Sequence, residues 1–184
     1  MPKFREFRTY TGRASYHVHV SWSYLQEHLD SWRQGYCVEM NPDFQRGHVW
    51  TEEQQIAYIE FKMKGGPSGE DIYWNHPYWQ SGRDDAPLQL VDGLQRITAV
   101  FRFINNEIKA FGYYYKEFED TASIIDLRFS FYINDLKMRD EVLKWYLELN
   151  EGGTPHTKEE IDKVYELLKY EKRAIANLVG DGND

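Results

Sequence analysis

The segment Leu88–Thr98 constrains the fold more than any other part of the chain. Leu88-Gln89-Leu90-Val91 reads as a short core strand, and only Asp92-Gly93 separates it from an amphipathic helix. From Leu94 to about Asn105 the apolar residues Leu94, Ile97, Phe101 and Ile104 recur at helical spacing and are expected to be buried. A glycine at the strand end lets the backbone bend or come close to a ligand. The helix that follows offers free N–H groups and the positive end of its dipole.

The flanking sequence supplies the rest of a mixed domain. Tyr16, Val18 and Val20 alternate with His17 and His19, the two-residue period of a strand with one buried face. Ser21 or Ser23 is placed to cap a helix to Arg33 with Leu25 and Leu29 on one face. Residues 36–40 read as a short strand. Thr51 with Gln54 makes a capping box and opens a helix to about Lys64, burying Ile56, Ile59 and Met63. Residues 71–74 read as a strand, 75–87 as a long loop, and 111–115 and 126–133 as later strands. Residues 138–149 form a helix, and Thr157 with Glu160 is a second capping box opening a helix to about Leu178. The expected class is α/β or α+β with a helical C-terminal part. The expected organisation is a basic arm over 1–15, one domain over 16–179 and a disordered tail over 180–184.

Charge and cysteine usage narrow the function classes. The 184 residues carry a net charge of −8, which argues against coating nucleic acid through bulk electrostatics. The acidity is uneven: residues 110–184 hold −6 of it. It therefore leaves room for an anion site further upstream. A single cysteine, Cys37, excludes an internal disulfide and a Cys-rich zinc site, and is expected in the core. No apolar run is long enough to span a membrane and residues 1–13 lack a signal-type apolar region, so a cytoplasmic protein is expected. Thirty aromatic residues nearly match the thirty-three Ile, Leu and Val. Most such rings build a core. Tyr73, Trp74, Tyr78 and Trp79, crowded ahead of the Asp-Gly strand, are candidates for a wall that stacks a base.

Three segments carry groups suited to anion chemistry. In the first turn after Gly93, Arg96 offers a fork of donors for phosphate or carboxylate, with Gln95 and Thr98 beside it. Asp92 caps the helix or serves as a metal or water ligand. Gln45-Arg46 lies just before the capped helix at Thr51, and two arginines near helix starts can clamp one anion from two sides. Asn150-Glu151-Gly152-Gly153 brings a polar loop to a third helix start. The structural alternatives are an ordinary cap, an ordinary turn and a helix connector. Asp84-Asp85 offers a loop carboxylate pair, and His17 with His19 share a strand face without a third ligand.

Taken in order, these segments resemble the N-terminal domain of GmrSD-type modification-dependent restriction enzymes, in the ParB/sulfiredoxin-like superfamily. The matching stretches are Asp43-Phe44-Gln45-Arg46 with Trp50, then Asp92-Gly93-Leu94-Gln95-Arg96-Ile97-Thr98, then Asn150-Glu151-Gly152-Gly153-Thr154-Pro155-His156-Thr157. The resemblance spans roughly residues 35–165. It implies a ParB/sulfiredoxin-like core that binds a nucleoside triphosphate with Mg²⁺, and in several members hydrolyses it, in DNA restriction or a related phage or bacterial process. Carried onto this sequence, Asp92, Gln95 and Arg96 are the catalytic candidates, with Asp92 also the metal ligand. Gln45, Arg46, Gly93, Arg96, Thr98, Asn150, Gly152 and Gly153 are the phosphate-binding candidates. Leu94 departs from the family, which has Gln there. The family's His-Asn-His nuclease has no counterpart in the sequence, so DNA cleavage is not expected of this chain alone. Two functions stay open: a nucleotide-binding nucleoside triphosphatase, or a non-catalytic module that binds DNA or a partner protein such as a nuclease.

Overall fold

The computed structural model describes residues 16–81, 86–120, 122–150 and 157–180. Its centre is a five-stranded mixed sheet. The strands are β1 (Tyr16–Ser21), β2 (Val38–Glu39), β3 (Asp71–Asn75), β4 (Leu88–Asp92) and β5 (Arg128–Asn134), in spatial order β1-β5-β3-β4-β2. β5 lies antiparallel to β1 and parallel to β3, while β4 lies antiparallel to β3 and parallel to β2. The helices are α1 (Leu25–Gly35), α2 (Glu52–Met63), α3 (Leu94–Ile104), α4 (Arg139–Asn150) and α5 (Lys158–Gly180). The expected mixed α/β class is therefore the observed one.

Strand alternation divides the apolar residues between two cores, because successive side chains leave a strand on opposite faces. Val20, Ile72, Trp74, Leu88, Leu90, Phe129, Phe131 and Ile133 join Leu25, Leu29 and Trp32 of α1, Ile59 of α2 and Ile97, Val100 and Phe103 of α3. On the other face Val91 meets Phe44 and the α4–α5 pair through Val142, Leu143, Tyr146, Val164 and Leu168. α3 therefore springs from β4 between the two layers, which puts its first turn at the sheet's end.

Both capping boxes form. The Thr51 side chain accepts from the Gln54 N–H at 3.3 Å while Gln54 accepts from the Thr51 N–H at 2.9 Å. Thr157 and Glu160 exchange the same pair of bonds at 2.8 and 3.2 Å.

Several expectations need correction. Residues 111–115 are not a strand: Phe111 and Gly112 have φ of 52° and 84°, and Ala110 and Tyr113 close a tight turn by exchanging two backbone bonds. In α3 the helix face is rotated. Ile97, Ala99, Val100 and Phe103 are buried, whereas Leu94, Phe101 and Ile104 are half-buried. In α2 Ile56 and Met63 are only half-buried, and two polar side chains, Gln55 and Lys62, are buried beside Ile59. Cys37 is exposed, because β2 is a two-residue strand at the sheet's edge. Asn75 belongs to β3, and Trp79–Ser81 form a turn of 3₁₀ helix within the expected loop. The basic arm over 1–15, Asp84-Asp85 and residues 181–184 lie outside the described residues.

Candidate functional site

At the junction of β4 and α3 the backbone turns through Gly93, whose φ of 117° and ψ of 4° place it in left-handed space. A Cβ at this position would come within 2.4 Å of Ile72 Cδ1 on β3. Glycine thus serves both the turn and the close approach of two elements. No side chain caps α3. Beside its first turn lies a cleft of about 270 Å³ lined by Asp92, Gly93, Gln95, Arg96, Ser68, Gly69 and the rings of Trp50, Tyr58 and Phe61.

Asp92 and Arg96, one helical turn apart, form an ion pair within the cleft. Arg96 is 19% exposed and Asp92 33% exposed, so both charges reach the cleft. The opposite lip is fixed by α2. Lys62 Nζ donates to the Gly66 carbonyl at 2.6 Å, the Ser68 carbonyl at 3.3 Å and the Glu70 carboxylate at 2.6 Å. The Tyr58 hydroxyl donates to the Gly69 carbonyl at 2.7 Å, and burial raises its pKa. A glycine-rich turn with little intrinsic order is thereby held in one shape.

Four of the expected phosphate or catalytic side chains are engaged with main chain. Gln95 Oε1 accepts from the Val49 and Trp50 N–H groups at 2.9 and 3.1 Å, and Gln95 Nε2 donates to the Gly47 carbonyl at 2.7 Å. Gln45 Nε2 donates to the Leu90 and Val91 carbonyls at 2.8 and 3.0 Å. Thr98 bonds back to the Leu94 carbonyl, and Asn150 to the Tyr146 carbonyl. Gly152 and Gly153 lie outside the described residues.

Arg46 does not share the Arg96 cleft. It lines a neighbouring one of about 280 Å³ with Phe44, Gln45, Glu159, Glu160 and Lys163. Its guanidinium sits 3.8 Å from the Glu160 carboxylate. Burial pushes the pKa of Tyr146 up to about 12, and the charges of Arg46, Glu160 and Asp92 act on it as well. The picture of two arginines clamping one anion therefore gives way to two clefts, each with an arginine already facing a carboxylate.

The aromatic wall also differs from the expected one. Trp74 is buried against Trp32, and Trp79 packs on Tyr36. Tyr73 stacks on Tyr132, and Tyr78 lies under Lys137. None of the four lines the Arg96 cleft. The rings that do are Trp50, just ahead of α2, and Tyr58 and Phe61 of α2. The sequence reading of α2 singled out Ile56, Ile59 and Met63 and did not mark these rings.

His17 stacks on Tyr132, and His19 is bonded to Ser130. Among the described residues no three His, Cys, Asp or Glu side chains converge as a metal site, and no helix is long and apolar enough to cross a membrane.

One Gln-Arg pair thus lies in the irregular segment before α2 and the other at the strand–glycine–helix junction. The profile of the GmrSD restriction endonuclease N-terminal domain covers residues 25–175. The chain belongs to this GmrSD N-terminal domain family. Membership puts it in the context of restriction systems. No curated protein and no solved structure matches it. The GmrSD match includes every element from α1 to α4 and most of α5, and so takes in both clefts.

Proposed function

We propose that the cleft at the start of α3 binds the phosphates of a nucleoside triphosphate, and that Asp92 and Arg96 promote its hydrolysis in the service of DNA restriction. The observation that carries this reading is the Asp92–Arg96 pair beside an uncapped helix start and a wall of three rings. A helix N-terminus with an arginine fork suits a phosphate, and ring faces suit a base. The ParB/sulfiredoxin-like kinship implied by the sequence motifs points the same way.

In this scheme an incoming phosphate competes with Asp92 for the Arg96 guanidinium. Arg96 then holds charge on the transferred group, and the released Asp92 carboxylate orients water or takes its proton. Positioning and charge stabilisation are what phosphoryl transfer chiefly requires. The donor set fits Mg²⁺ in the mode where phosphates and waters supply most ligands, because Asp92 is the one carboxylate among the cleft's described lining residues. When bound, the cation would neutralise phosphate charge.

Calorimetry with a non-hydrolysable triphosphate analogue tests the site. Arg96→Ala is expected to weaken binding by about 10–100-fold, the range for losing a charged hydrogen-bonding partner. Unchanged affinity would overturn the assignment. Asp92→Asn separates the steps: binding survives while steady hydrolysis is lost.

A second reading is binding without hydrolysis, with DNA or a partner protein as the functional ligand. Leu94 and the Gln95 amide oxygen, which already accepts two backbone N–H groups, favour it, since neither offers an acceptor to water in the cleft. Absence of hydrolysis with all common nucleotides, together with a salt-dependent DNA shift, would select it.

A further inference from the structure

The two Gln-Arg pairs are tied to each other. Gln45 bonds to the carbonyls of β4 just ahead of Gln95, and Gln95 bonds to the segment just after Arg46. Each glutamine thus serves the backbone that carries the other pair. Residues 41–51 contain no helix or strand. Their shape therefore comes from side chains that satisfy backbone groups.

Trp50 lies at the end of this segment and is held on both sides. Its N–H donates to Gln95, and its carbonyl accepts from the Gln55 amide at 3.2 Å. Gln55 is buried and is itself fixed by Arg102 Nη1 at 3.0 Å. The Trp50 ring leans on Tyr58 at 5.5 Å and faces the cleft. Gln95 has one acceptor oxygen and two amide hydrogens. Its oxygen already takes two N–H groups and its nitrogen reaches Gly47.

From this arrangement we infer that Gln95 is a positioning residue for the nucleoside half of the ligand. It holds Trp50 as the plate on which the base stacks, and it does not contact the phosphates. The inference rests on the nucleotide reading of the cleft and assigns its two ends: Arg96 and the helix start read phosphate, while Trp50, set by Gln95 and Gln55, reads the base. A plate that offers a ring face accepts any base.

The test compares two probes on the whole chain by calorimetry: inorganic tripolyphosphate and a non-hydrolysable ATP analogue. Gln95→Met keeps the side chain's length and removes its bonds. It is expected to weaken the analogue about tenfold, the scale of one stacking contact, and to leave tripolyphosphate within about twofold. Trp50→Leu should do the same, and the double variant should be no worse than Trp50→Leu alone. Gln95→Glu keeps both acceptor bonds, so the ratio of analogue to tripolyphosphate affinity should stay at the wild-type value even if its added charge weakens both. That variant carries the test if Gln95→Met does not fold. Equal loss of both probes in Gln95→Met would mean a direct phosphate contact and would overturn the inference. So would no loss of either, or a changed ratio in Gln95→Glu. Failure of the wild type to take up either probe would instead remove the nucleotide reading itself.

Discussion

Replacing Gly93 with alanine tests whether the β4–α3 junction has the geometry the site requires. Two costs follow from separate features. The backbone sits at φ 117° and ψ 4°, a region side-chain-bearing residues rarely enter, at a cost of about 1–3 kcal/mol. The new methyl group would meet Ile72 Cδ1 at 2.4 Å and Cγ2 at 3.1 Å, and Ile72 is fully buried. Overpacking of this kind costs about 1–3 kcal/mol more. Gly93→Ala should therefore lose about 2–6 kcal/mol, a large part of a typical domain's 5–15 kcal/mol. Ile72→Val removes the atom in closest conflict at a cost of about 0.5–1.5 kcal/mol by itself. In the double variant the steric share should be recovered and the dihedral share should remain, giving a favourable coupling of about 1–2 kcal/mol. Urea denaturation of the four proteins measures this cycle. A Gly93→Ala loss below about 0.5 kcal/mol, or additivity within about 0.5 kcal/mol, would refute the reasoning.

Lys62→Met should release the 66–70 turn, costing about 1–3 kcal/mol as its acceptors lose a charged donor; hydrogen exchange at residues 66–70 should rise, and unchanged protection would count against the strap. Thr51→Ala removes the α2 cap and should cost about 1 kcal/mol by thermal or urea melting. Tyr73 and Tyr146, both held up to about 12 chiefly by burial, should stay protonated in the folded chain after unfolded-state tyrosines ionise. The folded state then binds more protons than the unfolded one, so their contribution is intact below pH 10 and is lost as pH rises from about 10 through about 12. Denaturation midpoints across that window should fall, and Tyr146→Phe should flatten the slope.

What the sequence made legible was mostly local. The capping boxes at Thr51 and Thr157 need only four neighbouring residues, and both form. The strand–glycine–helix junction depends on one strand, one turn and one amphipathic helix, and it stands at 88–104 as expected. Partners distant in sequence were hidden. Nothing near Gln95 indicates that its amide will be taken by residues 45 to 48 positions earlier. Nothing near Lys62 or Gln55 marks them as buried, because each is stabilised by carbonyls or side chains that only the fold delivers. The rings at 111–115 suit a strand, but positive φ at Phe111 and Gly112 bends them into a turn. Trp74 was a candidate for the base-stacking wall because the strand's inward face could not be told from its outward one.

The crossed glutamine bonds also set a rule for exchanging parts between relatives. A graft of residues 41–51 alone would bring a loop whose N–H groups at 49 and 50 depend on an acceptor in the host's helix. A graft of 88–98 alone would bring strand carbonyls and a helix amide that depend on the host's loop. Each transplant by itself risks leaving donors or acceptors unmet, at about 1–3 kcal/mol for each one buried. The two stretches, far apart in the chain, therefore behave as one heritable unit: a functional chimera should require both from the same parent.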